Sequence, residues 1–145
     1  MFKHILLPTD GSDLSLLAIE HGIALAKAMG ARVTGFHAVP PFHTFTHEWL
    51  QLEFTREEYL RVSAEQAANM LGVIESAART SGVACETVST MSDHPYADIL
   101  KTAAERGCDL IVMASHGRRG VKGLLLGSET QKVLTHGNVP VLVYR

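Results

Sequence analysis

A glycine-rich stretch of the chain, Ala114–Ser128, has the residue types that bind phosphate groups. It follows an apolar run with the pattern of a buried strand, and it leads into a predicted helix. Glycines permit left-handed backbone angles and a close approach of the main chain to a ligand. The first three lie within seven residues, and the set is Gly117, Gly120, Gly123 and Gly127. The stretch therefore predicts a loop that binds the phosphates of a nucleotide.

Two further features of this loop favour anion binding. Gly127 and Ser128 stand where the helix is predicted to begin, so free backbone N–H groups and the helix dipole face an anion there. Ser128 either caps this helix or donates its hydroxyl to a phosphate oxygen. Positive charge is added by Arg118, Arg119 and Lys122.

The same loop also has a plain structural interpretation, as a flexible and solvated connection between a strand and the last helix. It is not a Walker A loop, because Gly-Lys-[Ser/Thr] is absent and Lys122 precedes a glycine. It is not the Rossmann fingerprint either, whose glycines belong to the first strand-to-helix turn. Its glycines, its basic residues and the helix start together favour the phosphate-binding interpretation.

Short apolar runs alternate with helical periodicity along the whole chain. The predicted strands are His4–Leu7, Ala31–Val39, Val83–Met91, Asp109–Ala114 and Val139–Tyr144. Between them, apolar residues spaced by three and four predict helices over Leu14–Ala28, Leu60–Ala78, Tyr96–Arg106 and Ser128–His136, with Gly30 and Gly82 ending the first two. This alternation predicts an α/β fold, an open parallel sheet with helices on both faces.

Composition limits the class of protein. A chain of 145 residues fits one domain, residues 1–145, and 46% hydrophobic with 19% charged residues is a globular composition. A net charge of -2 argues against a nucleic-acid-binding protein. No run is long enough for a membrane span or a signal peptide, so we expect a cytoplasmic protein that does not enter a membrane. Cys85 and Cys108 are expected to be buried, reduced thiols.

In open parallel sheets, ligands bind beyond the carboxyl ends of the strands, where the strand order reverses. The loops at that edge begin at Pro8, Ala38, Ser92 and Ser115. In the first of them, Asp10 is a candidate general base, metal ligand or Asx-turn residue. Binding a ribose needs only a hydrogen-bond acceptor, so we assign Asp10 to binding rather than to catalysis.

Histidines and one carboxylate near these loops have alternative interpretations. His116 either donates to a phosphate or shapes the loop, and His21 and His37 are expected to be satisfied core or interface residues. His43 and His47 have the spacing of a helical metal chelate, but their aromatic surroundings favour a lid or a dimer contact.

Asp93 precedes His94-Pro95 at the start of the third predicted helix. We interpret it as the N-cap of that helix. The alternative is a carboxylate close to the anionic ligand, which would repel phosphate unless a divalent cation intervened.

The chain resembles the universal stress protein family over essentially its whole length. Nucleotide-binding members of that family carry the motif Gly-x2-Gly-x9-Gly-[Ser/Thr], and here Gly117 and Gly127-Ser128 match it in residue type and spacing, whereas Ala114 replaces the first glycine. Three other segments are similar to the first strand, the second strand and the last strand of the family: Ile5–Asp10, His37–Val39 and Val139–Val143.

The resemblance implies a Rossmann-like fold of the adenine nucleotide alpha hydrolase-like type, with strand order 3-2-1-4-5. It also implies ATP with Mg²⁺ in the cleft, with Asp10 at the nucleoside, the main chain of Ala38 at the adenine and Met113 packed near it. It further implies a homodimer that pairs through the last strand. The complete set of binding residues carried over is Pro8, Thr9, Asp10, Ala38, Met113, Ala114, Ser115, His116, Gly117, Arg118, Gly127, Ser128, Glu129 and Thr130.

Ala114 departs from the motif, and its effect depends on the backbone there. If the position required a positive φ, alanine would cost about 1 kcal/mol. If it only ends a strand, as we expect, the change is nearly silent.

Three functions are compatible with these residues. The leading hypothesis is an ATP-binding stress-response protein in which nucleotide occupancy is the output and controls an interaction. A slow ATP hydrolase or phosphotransferase is the second, with Asp10 and Asp93 as Mg²⁺ candidates but no identifiable base. The third is a dimeric stress protein that has lost nucleotide binding, which only Ala114 supports.

Overall fold

Helices and strands alternate along the computed structural model, which describes residues 1–42, 55–117 and 125–145. Within these ranges the strands are β1 His4–Pro8, β2 Arg32–Val39, β3 Cys85–Met91, β4 Leu110–Ala114 and β5 Val141–Tyr144. The helices are α1 Asp13–Met29, α2 Arg56–Ser81, α3 Pro95–Arg106 and α4 Ser128–His136. In these ranges, no helix has the length and apolar character needed to cross a membrane.

All five strands are parallel and lie in the order β3-β2-β1-β4-β5, as predicted. Strand β1 is central and pairs with both β2 and β4, so that Ile5 lies opposite Val33 on one side and opposite Leu110 on the other. Since each connection between parallel strands must cross over a face of the sheet, the helices cover it on both sides.

Alternate residues of β1 face two separate cores. Ile5 and Leu7 pack with α1 and α2, whereas Leu6 packs with α3 and α4 on the opposite face. All three side chains are completely buried. A strand that is buried on both faces has a continuous run of apolar residues in its sequence, and this explains the apolar run from which β1 was predicted.

The buried face of α1 differs from the predicted stripe. The spacing by three and four of Leu14, Leu17, Ala18, His21, Leu25 and Ala28 predicts these residues on the packed face, but the buried residues are Ser15, Ala18, Ile19, Gly22, Ile23 and Ala26. Leu17 is 46% exposed. A Cβ at Gly22 would lie 2.5 Å from Leu7, so this glycine lets the helix pack closely against the sheet. Because small and polar residues occupy the packed face of α1, the spacing of the apolar residues did not identify that face.

The start of α2 shows the same kind of shift. Tyr59 and Ser63 are buried where Leu60 and Ala64 were expected. The Tyr59 hydroxyl donates to the carbonyl oxygen of Pro40, and this bond turns the tyrosine inward. Thr55 and Glu58 form a reciprocal capping box that begins the helix.

A polar network with the buried side chains of His4 and Thr34 at its centre lies at the amino ends of the strands, opposite the predicted ligand edge. Arg32 Nε donates to His4 Nδ1 at 3.1 Å, so His4 carries its proton on Nε2 and donates to Thr34 Oγ1 at 2.7 Å. Thr34 then donates to Glu86 Oε1 at 3.0 Å, and Arg106 donates to Glu86 Oε2 at 2.9 Å. The bond from Arg32 needs His4 to be neutral, because a protonated ring has no lone pair on Nδ1.

Burial lowers the pKa of His4 below its ordinary value of 6.5, and the charge of Arg32 lowers it further. Burial also raises the pKa of Cys108, to about 11, and that of Cys85 in the same direction. Both cysteines are free thiols, as predicted, although Cys85 is only half-buried. Both thiols are therefore protonated and poorly reactive at neutral pH.

The neutral state of His4 predicts how stability depends on pH. Between the lowered native pKa and 6.5, the unfolded chain binds more protons than the folded chain, so the free energy of unfolding falls as the pH falls through this window. We expect a slope of at most about 1.4 kcal/mol per pH unit from this residue. Urea unfolding of wild type and His4→Gln between pH 7.5 and 5 measures it. The variant should lose less stability on acidification, and equal losses in both proteins would contradict the assignment.

Candidate functional site

The cleft lies at the carboxyl ends of β1 and β4. Helix α1 leaves β1 over one face of the sheet, and α4 follows β4 on the opposite face. Because neighbouring strands send their connections to opposite faces, a crevice opens between their ends. The residues that follow these two strand ends are Thr9 and Asp10 after β1 and Ser115–Gly117 after β4.

The loop after β1 is held by its own side chains. The Gly11 N–H donates to Thr9 Oγ1 at 3.1 Å, and the Ser12 N–H donates to Asp10 Oδ1 at 2.9 Å. The Ser15 hydroxyl donates to Ser12 O, so the Thr9 hydroxyl donates to Ser15 Oγ at 3.1 Å. Asp10 therefore forms the predicted Asx turn, and Pro8, the last residue of β1, is buried behind it.

The end of β2 is tied to the same loop. The Thr9 N–H donates to Phe36 O, and His37 Nδ1 donates to Thr9 O, both at 2.8 Å. His37 is thus satisfied, as predicted. Ala38 follows it, half-buried, and its main chain pairs with Thr90 of β3. His21, by contrast, lies exposed on α1 and stacks on the Tyr144 ring, with a centroid separation of 4.5 Å.

The end of β4 resolves the role of Ala114. It is the last residue of the strand and lies opposite Tyr144 of β5. Among the described residues, only glycines have a positive φ, so alanine is unstrained here, as we expected. Met113 is buried in the core cluster that also contains Leu6 and Ile111, which places its side chain within the fold.

Ser115 joins β4, β5 and α4. Its N–H donates to Tyr144 O, and its carbonyl oxygen accepts the Gly127 N–H, both at 2.6 Å. The Thr130 hydroxyl donates to Ala114 O at 3.0 Å, with Ser115 O at 3.4 Å. The buried Thr130 side chain therefore serves the fold, because its hydroxyl is directed to the end of the strand.

Two motif glycines allow close contacts within the protein. A Cβ on Gly117 would collide with Oδ2 of Asp10, and a Cβ on Gly127 would lie 3.1 Å from Ser115 O and 3.4 Å from His116 Cα. Neither glycine has a left-handed backbone, so the expectation of left-handed angles is wrong for Gly117. The structure thus requires small residues here for close approach rather than for an unusual φ.

Helix α4 begins at Ser128, with Gly127 as its N-cap in an extended conformation. The alternative that Ser128 caps the helix is therefore wrong. The first helical bond runs from the Gln131 N–H to Gly127 O at 3.0 Å. Three N–H groups precede it at the helix N-terminus, those of Ser128, Glu129 and Thr130. The Gly127 N–H is already used by Ser115.

Glu129 has a role that the sequence did not predict. Its Oε2 accepts the N–H of Tyr96 at 2.8 Å, and its Oε1 pairs with Lys132 at 3.2 Å. The N-cap of α3 is His94, without a side-chain cap bond, so the prediction of Asp93 as N-cap is wrong. A carboxylate from α4 serves this helix instead. The sequence did contain one indication of such a contact. The pair His94-Pro95 at the start of α3 has no hydroxyl or carboxylate that could cap the helix, so an acceptor from elsewhere in the fold is needed.

Some predicted residues lie outside the described ranges. They are Arg118 of the predicted binding set, its basic neighbours Arg119 and Lys122, and the histidine pair His43 and His47. Over the ranges that are described, no group of three or more His, Cys, Asp or Glu side chains is arranged to hold a metal ion.

The Glu129 contact predicts a local effect on α3. Glu129→Ala removes the acceptor of the Tyr96 N–H, and we expect this amide to exchange at least about tenfold faster, with a loss of about 1 kcal/mol in the free energy of unfolding. Glu129→Gln keeps an acceptor oxygen and should stay close to wild type. Amide exchange followed by NMR tests this. Lys132→Ala is the control, since an exposed ion pair contributes little; unchanged exchange in Glu129→Ala would refute the assignment.

Comparison with known proteins supplies the family. The pattern that defines the Universal stress protein family (Usp) matches residues 1–145. A universal stress protein of Thermus aquaticus is 37% identical over 145 residues, 100% of both chains. The solved structure of MJ0577 from Methanocaldococcus jannaschii has a TM-score of 0.83 and 30% identity, covering 99% of this chain and 96% of that one.

A universal stress protein solved in complex with cAMP shares the fold, with a TM-score of 0.73 and 22% identity, covering 99% of this chain and 97% of the other. The strand order and the spacing of Gly117, Gly127 and Ser128 agree with the full-length match. This chain belongs to the universal stress protein family.

Proposed function

We propose that this chain is a stress-response protein that binds ATP in the cleft between β1 and β4, with nucleotide occupancy as its output. The observation that carries the proposal is the close approach of Gly117 to the Asp10 carboxylate. It brings the loop after β1 and the loop before α4 together as two walls of one cleft. The two free thiols are in keeping with a reducing, cytoplasmic compartment.

We place the nucleoside end of ATP against the side of the cleft that the ends of β1 and β2 form. Asp10 Oδ1 accepts the Ser12 N–H within its turn, and we assign this carboxylate to the ribose hydroxyls, which need a hydrogen-bond acceptor. The adenine edge belongs beside the main chain of Ala38. His37 and Thr9 fix the separation of these two strands through the bond between them.

The phosphates belong at the N-terminus of α4. The N–H groups of Ser128, Glu129 and Thr130 precede the first helical bond, and the helix dipole adds positive potential. The Glu129 carboxylate is drawn toward α3 by Tyr96 and Lys132, which keeps its charge away from an incoming phosphate. Mg²⁺ would arrive with the phosphates, and Asp10 is the carboxylate suited to meet it.

Adenine nucleotides suit this fold, since a family member of the same fold was solved with cAMP. Binding to the folded chain alone stabilises it by mass action, about 2.7 kcal/mol at a hundredfold excess over Kd. Occupancy thereby converts ATP concentration into a change in the stability of the folded protein.

Binding is tested by releasing nucleotide from the denatured purified protein and by titration calorimetry with ATP and Mg²⁺. Asp10→Asn keeps an acceptor for the Ser12 N–H but loses the charge, so we expect affinity to fall about tenfold with little change in Tm. Asp13→Asn is the matched control, because Asp13 is exposed in the first turn of α1 and should leave affinity unchanged.

The same experiment separates the alternatives. Absence of released nucleotide, together with no thermal shift on adding ATP, would favour a dimeric interaction module without a nucleotide. ADP that accumulates in proportion to protein over hours would favour a slow hydrolase, and occupancy would then not be the output.

We further infer a homodimer that pairs through β5. This strand ends the sheet, and Leu142 on it is 44% exposed. An unpaired edge offers N–H and C=O groups to another strand. The Tyr144 ring, stacked on His21, supports the end of the strand from α1.

Sedimentation velocity tests the dimer. Leu142→Lys should convert a dimer to a monomer, because a charge at the paired edge opposes association. Ser89→Lys places the same charge on the exposed opposite edge, β3, and should leave the dimer intact. A monomeric wild type, or dissociation by Ser89→Lys instead, would overturn this arrangement.

A further inference from the structure

We propose that β3 binds the β3 strand of a second copy of this chain in antiparallel pairing, with the groove between β3 and α3 as the adjoining part of the contact. This contact lies at the edge of the sheet opposite β5. It requires no nucleotide, so it is independent of the proposed function. Three features of the edge carry it: its length, the direction of its main-chain groups and the charges beside it.

Strand β3 is a long and regular edge. Its seven residues, Cys85–Met91, pair in register with β2, whereas β5 at the other edge has four residues. Among the described residues, no strand pairs with the outer side of β3. Edge strands that remain single are usually very short or carry a lysine, a proline or a bulge. Strand β3 has neither lysine nor proline, and its one charge, Glu86, accepts a hydrogen bond from Arg106 at 2.9 Å. It can therefore pair with another strand.

The main-chain groups that face outward define the register of such a pair. On the inner side, the Val33 N–H of β2 donates to Ala84 O. Because bonds to a parallel neighbour involve alternate residues, the even-numbered residues of β3 bond to β2, and Thr87 and Ser89 direct their N–H and C=O groups outward. With Val88 on a two-fold axis, Thr87 lies opposite Ser89 of the second copy, and these two residues exchange both bonds.

A groove of about 250 Å³ lies beside this axis, between β3 and α3. Its volume is below the roughly 300–1,000 Å³ of pockets for drug-sized ligands, so it suits the side chains of a protein partner. Thr102 of α3 lines the groove and is only 4% exposed, yet within the described part of the chain its hydroxyl takes part in no hydrogen bond. Buried hydroxyl groups in native structures are generally bonded. A second copy that covers the groove brings polar groups within reach of this hydroxyl.

The charges on α3 complement themselves about the same axis. A two-fold contact uses one surface of both copies, so that surface must match itself after half a turn. Asp98 at one end of the groove accepts from Thr90, near the carboxyl end of β3, and Arg106 lies at the other end. Between them are the exposed side chains of Lys101 and Glu105. The half turn sets Arg106 of one copy at the level of Asp98 of the other, and Lys101 at the level of Glu105, which favours association.

Sedimentation equilibrium of Leu142→Lys isolates this contact, because that substitution opposes pairing through β5. We expect this protein to be monomeric at about 10 μM and to dimerise with a Kd on the order of 0.1 mM, since a contact through one polar strand is small. Adding Ser89→Pro removes an outward N–H and leaves the ladder to β2 intact, because proline is tolerated at such edge positions. It should keep the protein monomeric to about 1 mM. Ser89→Ala keeps the N–H and is the matched control.

A charge exchange on α3 gives a second test that leaves the strand unchanged. In the Leu142→Lys protein, Lys101→Glu and Glu105→Lys each create like charges across the axis, so each alone should associate at least about threefold more weakly. An equimolar mixture of the two restores opposite charges and should form a mixed dimer with an affinity close to that of Leu142→Lys. Both side chains are exposed, so a merely structural role in α3 would give no such recovery in the mixture.

These experiments separate the β3 contact from the other proposals. Dimerisation of Leu142→Lys that Ser89→Pro abolishes, with recovery in the charge-exchanged mixture, supports the contact. A Leu142→Lys protein that stays monomeric to about 1 mM overturns it, as does dimerisation that Ser89→Pro leaves unchanged. Neither result alters the case for ATP binding, and the wild-type dimer through β5 is measured separately at about 10 μM.

Discussion

The hydrogen bond from the Gly127 N–H to Ser115 O holds the carboxyl edge of the sheet and helix α4 together. It joins the beginning of α4 to the end of β4 across the whole glycine-rich segment. Thr130 reinforces the junction by donating to Ala114 O, and the Ser115 N–H extends it to β5. The N-terminus of a helix is thereby set at the end of a strand. A side chain at position 127 would press on this junction, which explains the glycine there.

The two ends of the sheet use polar groups differently. At the amino ends, His4, Thr34 and Glu86 satisfy one another in a closed chain of bonds. At the carboxyl ends, Asp10 Oδ1 accepts the Ser12 N–H, and the N–H groups of Ser128, Glu129 and Thr130 precede the first helical bond of α4. Hydrogen bonds that pair buried side chains stabilise a fold, whereas the N-terminus of a helix can bind an anion. The proposed function uses the carboxyl edge of the sheet, whereas the polar groups at the amino edge serve the fold.

The fold was predictable because its signals are local. Apolar runs such as Ile5–Leu7 and stop residues such as Gly30 mark strands and helix ends directly. The packed faces of helices were less predictable, since Gly22 is buried for its small size. At the site, the turn at Asp10 was predictable from neighbouring residues. The partner of Glu129 was not, because it lies on another helix and no local pattern encodes the distance between them.

The contact between Glu129 and Tyr96 also bears on the order in which the chain is completed during synthesis. The two residues are separated by 33 positions, and the carboxylate is the later one. Helix α3 is therefore synthesised before the carboxylate that accepts from its first turn. The Tyr96 N–H lacks this acceptor until α4 has docked, so the last helix of the chain completes a helix made earlier.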